Sequence, residues 1–306
     1  MKLQLHAKVV NFIPYIMALK NWPKAVMFRY GLLKSVLLKF RSGMTYYVNQ
    51  NNKFAGLQLV LFAGKHGVHL DNKRKDKYTW ILNEKRQIIK LPNDMRFYLC
   101  GFDSDIMAET FIYDIHFVDF DLRDKIIIEG GAYIGDTALY YADKGAIVYS
   151  FEPDKTNYNA FIKNLKLNQK LAKRITASNL ALGKEGVVEF PENFWGGGST
   201  FSSTKKTQKI QSVSLSTILK RHNIKKPYLL HLDIKGGEFE IIKSRDLSLF
   251  DRCRIEYTTN YEGKYIGNVD KLINELKKKG FNNIRIFKHN YGFYSLNEHG
   301  TIDACK

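Results

Sequence analysis

The stretch that most constrains the fold is IIIEGGAYIGD, residues 126–136. Three β-branched residues in a row mark a buried strand. A carboxylate, Glu129, then cuts the apolar run, followed by Gly130, Gly131 and, four residues on, Gly135. A helical pattern, TALYYADKG, starts at once, with Gly145 placed to close it. A strand passing through a glycine turn into a helix is the opening of a βαβ unit.

The same texture runs to the C-terminus. AIVYSFEP reads as a strand, NYNAFIKNLKLNQ as a helix, RITASNLAL as a strand and KEGVVEFPE as a hairpin. After NFWGGGSTFSSTKKTQ come a helix (LSTILKRH), a strand (PYLLHLDI) and a helix opening at GGEFEIIKS. RCRIEYTT (strand), VDKLINELKKKG (helix), IRIFK and GFYSLN finish the chain. Such alternation predicts a mostly parallel sheet with helices on both faces, whose ligands sit at the carboxyl ends of the strands. Glu129 therefore stands at a binding edge. Residues up to about 120 read otherwise: basic helices in the first 45 residues, then strands over GLQLVLFAG, YTWILN and MRFYLCGF. The expected division is 1–120 and 121–306.

Glycines at the first turn let backbone approach a ligand and permit φ > 0. A dinucleotide turn reads GxGxxG, but Tyr133 occupies the second glycine position here. The turn suits a ligand portion without phosphate. The second strand ends at Glu152, 23 positions after Glu129, near the spacing of an acid that takes ribose hydroxyls. Two strand-end acids bracket a nucleoside carrying a cationic group, and S-adenosylmethionine is such a molecule.

The run IIIEGGAYIGDTALYYADKGAIVYSFEPDKTNYNAFIKNLKLN, with HLDIKGGEFEII at residues 231–242, resembles the FkbM-type methyltransferases, which bind S-adenosylmethionine and methylate hydroxyl groups. The resemblance covers about residue 121 to the C-terminus. It implies an α/β, Rossmann-like class I methyltransferase fold with an antiparallel last strand, preceded by a smaller basic α+β region. It also implies cofactor roles for Glu129, Gly131, Tyr133, Gly135 and Glu152, with Asn179 and Asp233. Tyr133 stands where the family has Asn, Gly130 where it has a small aliphatic residue, His231 where it has Lys, and Lys235 where it has Glu.

A hydroxyl acceptor must lose its proton as the new bond forms. Candidate groups at the carboxyl edge are Asp233, His231, Glu238 and Glu256. His231 and Asp233 share a strand face and form a possible base pair. Asp233 is equally a helix cap, and Glu238 suits a first helical turn. The loop WGGGSTFSSTKK, with Trp195, is a candidate lid over a sugar acceptor. No ligand spacing demands a metal.

Charge sets the remaining expectations. Forty-eight Lys and Arg against thirty Asp and Glu give +18, and no acid precedes Asp71. Anionic partners follow: a glycan or other small acceptor, anionic or lipid-linked; a membrane surface met peripherally through the N-terminal helices; or RNA, for which no recognition motif is present. The competing functions are an RNA methyltransferase and a non-catalytic methyltransferase-like adaptor at a membrane. Three scattered cysteines without a CxxC fit a reducing cytosol, at or near the inner face of a membrane. No run reaches the ~18 apolar residues of a membrane span.

Overall fold

The computed structural model of the protein describes residues 12–116, 121–191, 207–234, 237–261, 264–265, 267–288 and 298–306. The chain divides into two compact units: Met1–Phe117 with Lys166–Asn168, and Val118–Leu165 with Gln169–Lys306.

The first unit opens with two short helices, α1 (Ile13–Ala18) and α2 (Trp22–Arg29), each with Pro in its first turn. There proline's missing N–H is no loss. A hairpin follows, β1 (Ser35–Lys39) and β2 (Thr45–Asn49). SVLLKF, expected to be helical, is thus a strand, because its apolar residues alternate: Val36, Leu38 and Phe40 are buried and Leu37 and Lys39 exposed. The opposite correction applies to GLQLVLFAG. It lies in a 13-residue helix, α3 (Lys53–Lys65), with Ala55, Leu59 and Phe62 buried at helical spacing. Two glycines bring this helix close to its neighbours: a Cβ at Gly64 would meet the Pro14 carbonyl oxygen at 1.9 Å, and one at Gly56 would meet Val48 at 2.5 Å. The unit closes with β3 (Leu70–Asp71), β4 (Trp80–Asn83), β5 (Ile88–Lys90) and β6 (Arg96–Tyr98), paired in that order, and α4 (Ser104–Phe111).

The second unit holds β7 (Ile126–Gly130), α5 (Asp136–Asp143), β8 (Ile147–Phe151), α6 (Lys155–Leu167, all but its last two residues), α7 (Gln169–Ala172), β9 (Ile175–Ser178) and β10 (Ala181–Leu182). It continues with β11 (Gly186–Pro191), β12 (Thr207–Val213), α8 (Leu215–Arg221), β13 (Leu229–Leu232), α9 (Glu238–Ile241) and β14 (Arg252–Tyr261). β15 (Lys264–Tyr265), α10 (Val269–Lys278), β16 (Asn283–Lys288) and β17 (Glu298–Cys305) complete it. The main sheet has the order β9-β8-β7-β13-β14-β17-β16, with β15 attached to β14. β7, β8, β9, β13 and β14 run parallel, and β17 lies antiparallel between β14 and β16. This is the class I Rossmann-like arrangement with its reversed last strand. That strand is EHGTIDAC, a segment the sequence reading passed over, while GFYSLN lies outside the described residues. The chain leaves β7 toward β8 on one side and returns to β13 on the other, so the switch point of the sheet is the carboxyl end of β7.

One sheet face carries the core: Ile128, Leu230, Leu232, Ile255, Tyr257 and Ile302 pack with Leu219, Leu272 and Leu276. Gly145 (φ +91°) stops α5 as its sequence predicts. Its N–H bonds the Ala142 carbonyl and the Ala146 N–H bonds that of Tyr141, the paired bonds of a left-handed helix stop. The opposite face of the sheet is polar near its carboxyl edge.

Candidate functional site

Strand register builds this site in two levels. Ser150, Glu129, His231 and Arg254 are cross-strand neighbours on β8, β7, β13 and β14, and Asp303 of β17 continues the line. Side chains alternate along a strand, so these five share a face. Two residues further along each parallel strand come Glu152, Gly131, Asp233 and Glu256, with Thr301 opposite Glu256. The second level lies at the carboxyl edge.

The lower level is sealed. Glu129 is 0% exposed; the Ser150 hydroxyl donates to its Oε2 at 2.6 Å, and His231 Nδ1 lies 3.6 Å from its Oε1. The Tyr141 ring stands edge-on to the buried His231 imidazole, centroids 5.6 Å apart. Register also sets an acid beside His231 that the expected His231–Asp233 pairing did not include, Glu129 of the neighbouring strand. Neighbouring strands lie about 4.8 Å apart, closer than residues i and i+2 along one strand. Glu129 itself stands below the edge, not open to it.

The upper level holds the acids. Glu152 is almost wholly buried. The Tyr133 N–H donates to its Oε2 and the Asp154 N–H to its Oε1, both at 2.9 Å. Burial pushes this carboxyl up to about 8, against the pull of those two amides. Asn179 donates its side-chain amide to the carbonyls of Glu152 and Pro153 at 2.9 and 3.0 Å. Asn179 thus fixes the loop that aims Glu152. Asp233 is half-buried at the end of β13, and its N–H bonds the Gly130 carbonyl at 2.9 Å. Glu256 is half-buried within β14, which runs on to Tyr261 and so ends later than expected.

The turn between β7 and α5 alternates positive φ values: Gly131 +85°, Tyr133 +45° and Gly135 +83°. A Cβ at Gly131 would meet the Asp233 carbonyl oxygen at 1.9 Å. This glycine lets the first and fourth strand ends close on each other. At Gly135 a Cβ would meet the Phe161 ring at 2.0 Å, so this position serves the packing of α6 on α5. Tyr133 holds a backbone conformation unfavourable to a residue with a Cβ, a strain that concentrates at functional turns.

Glu238, expected among the bases, is fully buried, and its Oε1 accepts the Thr258 N–H at 3.2 Å. That amide sits where the β14–β17 register shifts, between Thr258 and Asn260, so Glu238 serves as an anchor. Lys235 and the Trp195 loop lie outside the described residues. Sequence reasoning missed Ser150 and Asn164. Ser150 was readable from alternation in IVYSF, which puts it on the Val148 face. Asn164, buried beside Phe161 on α6, donates to the Ile134 carbonyl at 2.9 Å and braces the turn.

These residues fit S-adenosylmethionine. A carboxylate offers about four acceptor sites; two backbone amides and the Asn157 side chain use three on Glu152, leaving room for a ribose hydroxyl. Glu129 Oε1 is buried, accepts no hydrogen bond among the described residues and faces His231 Nδ1 at 3.6 Å, so it belongs to the layer beneath the ligand. Also among the described residues, no group of three or more His, Cys, Asp or Glu is arranged to hold a metal.

The model of the methyltransferase FkbM domain matches residues 129–293. No curated protein matches the chain. Among solved structures, the magnesium protoporphyrin IX methyltransferase ChlM from Synechocystis PCC 6803 with bound SAM is 13% identical over 66% of this chain and 78% of its own, TM-score 0.41. The N-terminal domain of human METTL16 in complex with SAH is 12% identical over 88% of each chain, TM-score 0.40. Trm5b from Pyrococcus abyssi is 11% identical over 74% of this chain and 57% of its own, TM-score 0.43.

Proposed function

The chain belongs to the FkbM methyltransferase family, and from that premise we propose that it methylates a hydroxyl of a sugar or glycan, an anionic or lipid-linked one included. The coarser statement holds without the proposal: it is an S-adenosylmethionine-dependent methyltransferase with a small-molecule or biopolymer acceptor. The observation that carries the finer reading is the acid level at the carboxyl edge, Glu152, Asp233 and Glu256, set around the Gly131 turn.

The cofactor supplies a methyl group already activated on a sulfonium. The chain's task is to hold, align and take a proton. Glu152 receives ribose hydroxyls, and Glu129, sealed beneath the edge, ties Ser150 and His231 together in the layer under the ligand. Asp233, at the switch point, accepts the proton of the acceptor hydroxyl, a step that typically contributes ~10²–10⁴-fold. Glu256, level with Asp233, holds the acceptor. Positioning in a shielded crevice supplies several kcal/mol more. His231 and Glu238, both buried and engaged, stay outside the proton transfer.

Calorimetry with S-adenosylmethionine, followed by transfer of a labelled methyl to glycan, lipid and RNA fractions, tests this reading. Label is expected in the glycan or lipid-linked glycan fraction, in a form stable to mild alkali, as an ether is. Label confined to RNA, or released as methanol by mild alkali, overturns it.

A further inference from the structure

The first unit carries an apolar surface rimmed by lysines. A cavity of about 350 Å³ lies between α2 and β1, lined by Lys24, Met27, Leu33, Leu37 and Lys39 among others. Asn21 stitches its base: its side-chain amide donates to the Leu37 carbonyl at 2.8 Å, and its oxygen accepts the Lys39 N–H at 2.9 Å. The cavity continues onto the outer face of the hairpin, where Leu37 pairs with Tyr47. Met27 is 42%, Leu37 43% and Tyr47 48% exposed. Leu32, beside the lining residue Leu33, is more exposed still.

Isolated exposed apolar residues need no explanation, but a contiguous group of them marks a contact surface. Charge identifies the partner. Residues 12–70 hold eight Lys or Arg and no acid; Glu84, from further along the chain, accepts the Tyr47 N–H at 3.1 Å, and two of those lysines rim the cavity. A protein partner with an apolar face would answer the apolar residues alone. A surface apolar below and phosphate-bearing at its rim answers both, with hydrocarbon against Met27 and Leu37 and phosphates at Lys24 and Lys39. Tyr47 adds an aromatic ring of the amphipathic kind that settles at headgroup depth. Among the described residues no helix is long and apolar enough to cross a membrane.

We propose that the α2–hairpin face is a docking surface for an anionic lipid bilayer. It acts through shallow insertion of Met27, Leu37 and Tyr47 and phosphate contacts from Lys24 and Lys39. The inference is independent of the methyl acceptor.

Vesicle co-flotation of the full chain tests it, with neutral phosphatidylcholine vesicles in one arm and 30% phosphatidylglycerol in the other. Binding is expected to the anionic vesicles only, and to weaken as salt rises from about 0.05 to 0.5 M. Near a charged surface each Lys is worth about 1 kcal/mol, so K24Q/K39Q should bind about 30-fold more weakly. M27S/L37S should lose binding at unchanged charge. All four side chains are solvent-exposed or line an open cavity, and unchanged melting temperature and S-adenosylmethionine affinity certify folded variants. Equal binding to both vesicle types, no binding to either, or anionic binding that M27S/L37S leaves intact overturns the proposal.

Discussion

Replacing Glu152 with Gln separates two effects that its carboxyl exerts in opposite directions of pH. Burial holds this group at about 8 in the folded chain, whereas in the unfolded chain it titrates near the usual glutamate value of about 4.3. Between those values the native chain keeps a proton that the unfolded chain has released. Stability from this group is therefore complete below the unfolded value and lost as pH rises through about 8. At about 1.4 kcal/mol per pH unit, the whole window amounts to roughly 5 kcal/mol at most. Ligand binding runs the other way. A ribose hydroxyl donates best to the ionised acid, so affinity should climb with pH, by up to about tenfold per unit below 7, and level off above about 8.

The suitable probe is 5′-methylthioadenosine, which presents the ribose but neither sulfonium nor ammonium. Calorimetry and thermal melts from pH 5 to 9 on the native protein and on Glu152→Gln give both curves. Other groups titrate in this range, so the difference between the two proteins is the quantity read. The Gln variant should bind weakly with little pH dependence, and its melting temperature relative to the native protein should rise as pH increases. Parallel curves for the two proteins would refute the reasoning, because they would show that Glu152 ionises like an exposed acid.

Two backbone predictions concern the turn. Gly135→Ala drives a Cβ into the Phe161 ring at a φ of +83°, and should cost about 2–4 kcal/mol from overpacking and left-handed strain together. In a Phe161→Leu background the penalty should shrink to the strain alone, so additive losses in denaturant titrations would contradict the packing role. Tyr133→Asn places a residue tolerant of φ near +45° and should raise stability by up to about 1 kcal/mol through relief of left-handed strain, with cofactor binding retained. A loss of stability in thermal melts would mean that the ring contributes more than the strain it tolerates.

What the sequence disclosed was local. The βα alternation, the glycine stop at Gly145 and the acid ending β8 each follow from a few consecutive residues, because pattern and cap chemistry act within a turn or a strand. What it concealed was register. His231 and Glu129 stand about a hundred residues apart in sequence, and only strand pairing makes them neighbours. No local pattern distinguishes that contact from the His231–Asp233 pair. GLQLVLFAG misled because a short apolar run is ambiguous between strand and helix; its length and the buried spacing of Ala55, Leu59 and Phe62 decide for helix. The last strand was hidden by Asp303, although Ile302 and Ala304 alternate inward around it.

The acids of the carboxyl edge work against the overall charge of the chain. A chain of net charge +18 repels a cationic cofactor at long range, but that repulsion fades over about 8 Å at physiological ionic strength. Carboxylates at the strand ends act at contact distance in a poorly solvated crevice, where a unit charge counts for several times more than in water. Asp233 and Glu256, half-buried at the carboxyl edge, can therefore set the sign of the small ligand admitted while the distributed lysines set the sign of the larger surface approached. Opposite charge preferences in one chain conflict only if they act over the same range, and here they do not. The excess of Lys and Arg is thus compatible with a cationic methyl donor, and it is free to serve attachment to an anionic bilayer.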